Sequence, residues 1–180
     1  MKDVVEGTAA FSPTEPITIR PPTEWAHDPS AVSSAIRGFP INPEDRPWIP
    51  AGYFEQKYLR LNPHTTEWII LVRVPAKEMV PYHKHHGPIT IWVLEGFVNF
   101  VDEDWSAGPG TLVYEPPGNT HVEVSDEGCL LLAFGTGPIE FLNADNTTSE
   151  MRDPIMWRRE IEEFHASTGT PLPPAPGYFW

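Results

Sequence analysis

The stretch "PYHKHHGP", residues 81–88, places three histidines within four positions between two prolines. His83 and His85 are separated by one residue. In a β-strand alternate side chains leave the same face, so both imidazoles would point the same way. Two imidazoles so placed can share one cation, but a stable site needs at least a third ligand. His86 has the opposite parity and is expected at the rim or surface. The third donor would come from another strand, and His121 in "PPGNTHVEV" (116–124) begins such a strand just after a tight turn.

Outward from this stretch the chain reads as strands separated by turns. "FEQKYLRL" (54–61) alternates, and "EWIILVRVP" (67–75) is a continuous apolar run, as in a strand covered on both faces. "ITIWVLEGFVNFVDEDW" (89–105) reads as two strands joined near Glu95-Gly96. "GTLVYEPPGNTHVEVSDEG" (110–128) and "CLLLAFGTGPIEFLNADN" (129–146) each add a pair. About eight short strands at regular spacing indicate an all-β sandwich or barrel. The 22 prolines agree, since proline suits turns and extended connections better than helix interiors.

Residues 1–50 are proline-rich and aperiodic, which predicts an extended N-terminal arm, with one short helix over 29–37 opened by Asp28 and Pro29 and closed by Gly38. The barrel is expected over 51–145. Residues 146–180 are expected to pack on it as a helix and tail: Asp153 is a good N-cap, Pro154 a good first residue, and Trp157, Ile161 and Phe164 form an apolar stripe. The terminal aromatics of "TPLPPAPGYFW" (170–180) suggest docking on a surface, and arm and tail together suggest a homodimer or homotetramer.

The 180-residue chain carries 12 basic and 25 acidic side chains, a net charge of −13. Phosphate contacts need clustered Lys and Arg, so neither nucleic acid nor an anionic membrane is an expected partner. The longest apolar runs are strand-length, and "MKDVVEGTAAF" lacks the pattern of a secretory signal. Cys129 is the only cysteine, so no intrachain disulfide forms, and a cytoplasmic setting is expected. Its context, "GCLLLAFG", reads as a buried strand thiol rather than a nucleophile.

In order along the chain, His83, His85, Gly96, Pro109, Gly110, Pro117 and His121 resemble the two motifs of the cupin superfamily. That likeness implies a double-stranded β-helix, or jelly-roll barrel, with His83, His85 and His121 as metal ligands. One departure matters: where many cupins carry a glutamate ligand this chain has Ile89, followed by Thr90, so a three-histidine site is implied. Over residues 47–168, with "DEDW", "EPPGNTH" and "FLNADN" as the most telling pieces, the chain is similar to the 2,4'-dihydroxyacetophenone dioxygenases and acetylacetone-cleaving cupins. The resemblance implies an iron(II)-dependent oxidoreductase. Its expected substrates are dioxygen and a small aromatic or aliphatic carbonyl compound, a hydroxyketone or β-diketone, whose carbon–carbon bond is cleaved. It also implies a carboxylate near the metal, which ungapped spacing from His85 puts at Glu103, with Asp102 adjacent; the bland alternative is a solvated turn, "VDEDWS". Trp92, Phe100 and Phe134 are candidate pocket walls, or plain core. Tyr114 is a candidate donor to a substrate oxygen, or a packing residue.

Two other functions stay open. Cupins also isomerise, decarboxylate and cyclise with Zn(2+), Mn(2+) or Ni(2+), and some are non-catalytic metal-binding sensors.

Overall fold

The computed structural model describes residues 3–5, 39–173 and 177–178. The expected helix at 29–37, most of the arm and His27 lie outside the described residues. Among the described residues are thirteen strands, a short 3-10 helix (Pro43–Asp45) and one α-helix. The strands begin with β1 (Asp3–Val5), β2 (Ile49–Pro50), β3 (Glu55–Asn62), β4 (Glu67–Val74), β5 (Glu78–His85), β6 (Ile89–Gly96) and β7 (Val98–Phe100). Then come β8 (Trp105–Ala107), β9 (Leu112–Glu115), β10 (Thr120–Ser125), β11 (Cys129–Thr136), β12 (Ile139–Leu142), β13 (Thr148–Arg152) and α1 (Pro154–Thr168).

The strands form two sheets, ordered β1-β8-β7-β10-β5-β12-β13 and β2-β3-β4-β11-β6-β9. Pairing is antiparallel except between β1 and β8. From β4 to β12 the chain passes back and forth between the two sheets, with only β7 and β8 consecutive in one of them, giving an all-β jelly-roll architecture. The strands beyond the expected eight are mostly two to five residues long, too short to leave an alternation of their own.

One face of each sheet builds the core. In β6, Ile89, Ile91 and Val93 are buried; in β11, Cys129, Leu131 and Ala133 are. The intervening side chains face outward. Cys129 is therefore the buried strand thiol expected, and burial pushes its pKa up to about 12. Between β6 and β7 the chain turns at Gly96, whose φ is +67°. A Cβ there would come 1.9 Å from the Gly128 carbonyl oxygen, so only glycine fits.

Helix α1 starts as the sequence predicts. The Asp153 carboxylate accepts from the backbone N–H groups of Ile155 and Met156, both at 2.8 Å, and Gly169 ends the helix at φ +69°. Trp157 and Ile161 are fully buried; Trp157 meets Trp68 edge-on at 5.5 Å between ring centroids and closes one end of the barrel. His165 reaches past the helix to Thr170 and, through Nε2, to the Tyr178 hydroxyl at 3.1 Å. Tyr178 is buried under the Arg46 guanidinium, and its carbonyl accepts from the Leu61 N–H, so this part of the tail docks on its own barrel.

Candidate metal centre

Strand β5 is not regular. His83 pairs with His121 while Val80 pairs with Glu123, so β5 spends one extra residue at Pro81–Tyr82. This bulge lets Val80, His83 and His85 all face inward, although Val80 and His83 have opposite parity. Proline suits the place, because a bulged position leaves its missing N–H without consequence. The Pro81 carbonyl accepts from His83 Nδ1 at 2.7 Å, which holds that ring as the tautomer with a bare Nε2.

The cross-strand pairing delivers His121 beside the other two. Ring centroids are 4.6 Å apart for His83–His85 and His83–His121, and 5.1 Å for His85–His121. One nitrogen from each ring lies within 4.8 Å of the others, the spacing of donors around a single ion. All three are buried, which holds them neutral: about 3 for His83, from burial and then the neighbouring His85; about 4 for His85, from burial; about 2 for His121, from burial and then His83 and His85. Neutral imidazoles are the form a metal takes. The Asn119 amide nitrogen lies 3.0 Å from His121 Nδ1; turned over, its oxygen accepts the Nδ1–H that a ligating Nε2 requires.

Sequence reasoning missed two carboxylates here. Glu115 Oε2 is 3.0 Å from His85 Nε2, and Glu115 Oε1 is 3.6 Å from His121 Nε2. Glu123 Oε1 is 3.8 Å from His121 Nε2. Glu115, His121 and Glu123 form a second group whose donor atoms lie within 4.8 Å. Burial pushes the Glu115 carboxyl up to about 8, and burial together with Glu115 raises Glu123. Neither Glu115 oxygen nor His85 Nδ1 has a hydrogen-bond partner. Buried polar atoms in that state are ones that a water or an ion can satisfy. The parity signal for both was present: Glu123 lies two residues after His121, and Glu115 two after the core residue Val113.

Four sequence expectations are corrected. Glu103 lies in the exposed turn after β7, where its Oε2 accepts from Trp105 Nε1 at 3.2 Å, away from the histidines. β7 is only three residues long, so the chain has left the barrel by then, and Asp102, Glu103 and Asp104 all face water. Trp92, Tyr114 and Phe134 are 46%, 61% and 41% exposed, on the outer face of the second sheet. Each alternates with a core neighbour, so none can line the interior. Phe100 does face inward, with its ring 5.1 Å from that of His121. His86 sits at the rim, with Nε2 2.8 Å from Glu140 Oε2, and His64 is exposed in a turn.

A narrow cavity of about 40 Å³ runs from His83 and His85 to Trp157. Its wall is mostly apolar, from residues such as Ile89, Leu131, Ile139 and Phe141, with Gln56, Glu123 and Arg152 as polar members.

Two facing sheets around three convergent buried histidines define a cupin barrel with a candidate metal centre inside it. The description that matches the sequence is "ChrR Cupin-like domain", over residues 37–140, more than half of the chain, and the protein belongs to that family. Among solved structures it is similar to an RmlC-like cupin protein from Ralstonia eutropha JMP134. That match has a TM-score of 0.72 and 21% identity, covering 76% of this chain and 92% of that one. It is also similar to an acetylacetone dioxygenase from Acinetobacter johnsonii, with a TM-score of 0.64 and 16% identity, covering 73% and 95%. No curated protein matches. Among the described residues no helix is long and apolar enough to cross a membrane.

Proposed function

We propose that the protein is a non-haem iron(II)-dependent dioxygenase that cleaves a carbon–carbon bond of a small β-diketone or hydroxyketone. The observation that carries this is the convergence of three buried, neutral imidazoles, two of which, His83 and His85, line an apolar cavity. Three neutral donors leave an ion's charge available to a chelating enolate. An iron(II) held there supplies the dioxygen chemistry, which splits the substrate and O₂ into two acids or an acid and an aldehyde.

The chain's own residues prepare the substrate. Glu123 faces the cavity and stands next to His121 Nε2, placed to take the proton that a diketone loses on becoming an enolate. The apolar wall excludes water, which strengthens each polar contact inside. The likeness in fold to an acetylacetone dioxygenase supports this reading, while fold alone does not decide chemistry.

A second reading is a metal-binding cupin without oxygen chemistry, a zinc, manganese or nickel enzyme or a sensor, and the ChrR-type family favours keeping it. The outward Trp92, Tyr114 and Phe134 would give the proposed homodimer or homotetramer an apolar face to bury. The test is metal quantification after anaerobic purification, followed by oxygen uptake on adding acetylacetone or 2,4'-dihydroxyacetophenone. Iron with stoichiometric oxygen consumption is expected. Zinc, with no uptake across a panel of diketones and hydroxyketones, would leave the second reading.

A further inference from the structure

Among the described residues, two cavity-lining side chains carry a buried N–H donor without an acceptor: Arg152 at Nε and Trp157 at Nε1. The two residues are 7% and 0% exposed. The Glu150 carboxylate stays 3.8 Å from Arg152 Nε, beyond hydrogen-bond reach. Buried N–H groups are nearly always paired, so two unpaired ones beside a single apolar cavity mark a place for acceptor oxygen.

The sheet register fixes where that place lies. His85 pairs directly with Ile139 on β12, and Ile139 pairs directly with Arg152 on β13. Directly paired side chains leave a sheet on the same face, so the three form one inward rung, and all three line the cavity. Two strand spacings of about 4.8 Å put Arg152 about 10 Å from His85 at the backbone. Trp157 follows at the start of α1, its backbone N–H bonded to the Asp153 carbonyl, so both donors come from the junction of β13 and α1.

The positive charge of Arg152 is already offset. Its guanidinium holds Glu160, and Glu150 stands close by. A carboxylate arriving there would be repelled by both acids, whereas a neutral ketone, ether or hydroxyl oxygen accepts a hydrogen bond without that cost.

We propose that Arg152 and Trp157 form an acceptor-binding subsite at the helix end of the cavity, which selects substrates carrying a neutral oxygen several atoms beyond the group held at the histidines. The histidine end of this substrate rests on the proposed function; the subsite itself needs no metal. An analogue with a methylene in place of that oxygen leaves both donors buried and unpaired, a loss that a purely apolar wall would not register.

The test observes the two N–H groups directly, by two-dimensional NMR of the nitrogen-15-labelled full chain. Arg152→Lys keeps a charge toward Glu160 and Trp157→Phe keeps a ring against Trp68; the signal lost in each assigns Arg152 Nε–H and Trp157 Nε1–H. Cyclopentanone, a compact ring with one acceptor oxygen, is titrated into chelator-stripped protein, and both proton signals are expected to move downfield. A response from fewer than both overturns the subsite. Zinc-loaded protein is then titrated in a calorimeter with 6-methoxyhexane-2,4-dione and with octane-2,4-dione, which differ by one oxygen against one methylene. The methoxy compound is expected to bind at least about tenfold more tightly, a preference that shrinks to within about threefold in the double variant. Equal affinity of the wild type for the two overturns the selection while the diketone reading stands. Binding of neither diketone overturns the proposed function, and the cyclopentanone titration still decides the subsite.

Discussion

The Tyr58 hydroxyl lies 2.8 Å from Glu160 Oε2 and joins the middle of β3 to helix α1 across 102 residues of sequence. Glu160 is held from its other oxygen by the Arg152 guanidinium. Burial, and then the Glu160 charge, push the Tyr58 pKa upward, so the phenol stays protonated and donates. Tyr58→Phe should cost about 1.5–3 kcal/mol in urea unfolding, the range for a hydrogen bond to a charged group. A loss below about 0.5 kcal/mol would mean that Arg152 alone holds the helix end.

The ligand set predicts a sharp asymmetry among histidines. His83→Ala, His85→Ala and His121→Ala each lose stoichiometric metal, measured by elemental analysis of protein whose circular dichroism is unchanged. His86→Ala and His64→Ala, at the rim and in an exposed turn, keep it.

In chelator-treated protein, stability should peak near pH 6. The three imidazoles titrate at about 3, 4 and 2 when folded, against 6.5 in the unfolded chain. Below pH 6.5 the unfolded state therefore binds more protons, and stability is lost as the pH falls. Glu115 works in the opposite sense: its pKa is about 8 folded against 4.5 unfolded, so stability is lost as pH rises through that window, and Glu123 adds to the effect. Three imidazoles outweigh two carboxyls on the acid side, and only the carboxyls act on the alkaline side. Thermal midpoints across pH 4–9 check this; a midpoint rising steadily from pH 6 to 8 would contradict it. A saturating divalent ion should flatten the alkaline arm.

Gly96→Ala should destabilise by at least about 1–3 kcal/mol, since it forces alanine to a positive φ and drives its Cβ into the Gly128 carbonyl. Gly118→Ala has a similar backbone angle, φ +89°, but no atom within 4 Å of the added Cβ, and should cost less. Parallel urea titrations compare the two directly.

The outward aromatics separate assembly from chemistry. Trp92→Ala and Phe134→Ala should leave metal stoichiometry intact, because both lie on the far side of their sheet from the histidines. A smaller species in light scattering is the expected effect. Loss of metal in either variant would contradict the strand parity described here.

Much of this site could be read from residue spacing. The His83–His85 pair, the return of His121 after the Pro116–Asn119 turn and the Asp153–Gly169 helix limits all survive in the structure, because each is a local signal of parity or capping. Direction across the sheet was harder. Trp92, Tyr114 and Phe134 look like pocket walls by residue type, yet parity with Ile91, Val113 and Ala133 turns them outward. Glu103 fails for a different reason: spacing counted along the chain assumes that β7 continues, whereas it ends at Phe100. Glu115 escapes notice because its neighbours depend on what lies across the strand pair, and a single sequence does not state which residues those are.

The irregular joint at Pro81–Tyr82 bears on how such chains drift over time. It splits β5 into a core half ending at Val80 and a donor half beginning at His83, each with its own alternation. Removing Tyr82 would leave a regular strand in which Val80 and both imidazoles still face the interior. A one-residue deletion at this joint is therefore silent for the donor set, whereas the same event between His83 and His85 turns one ring to solvent.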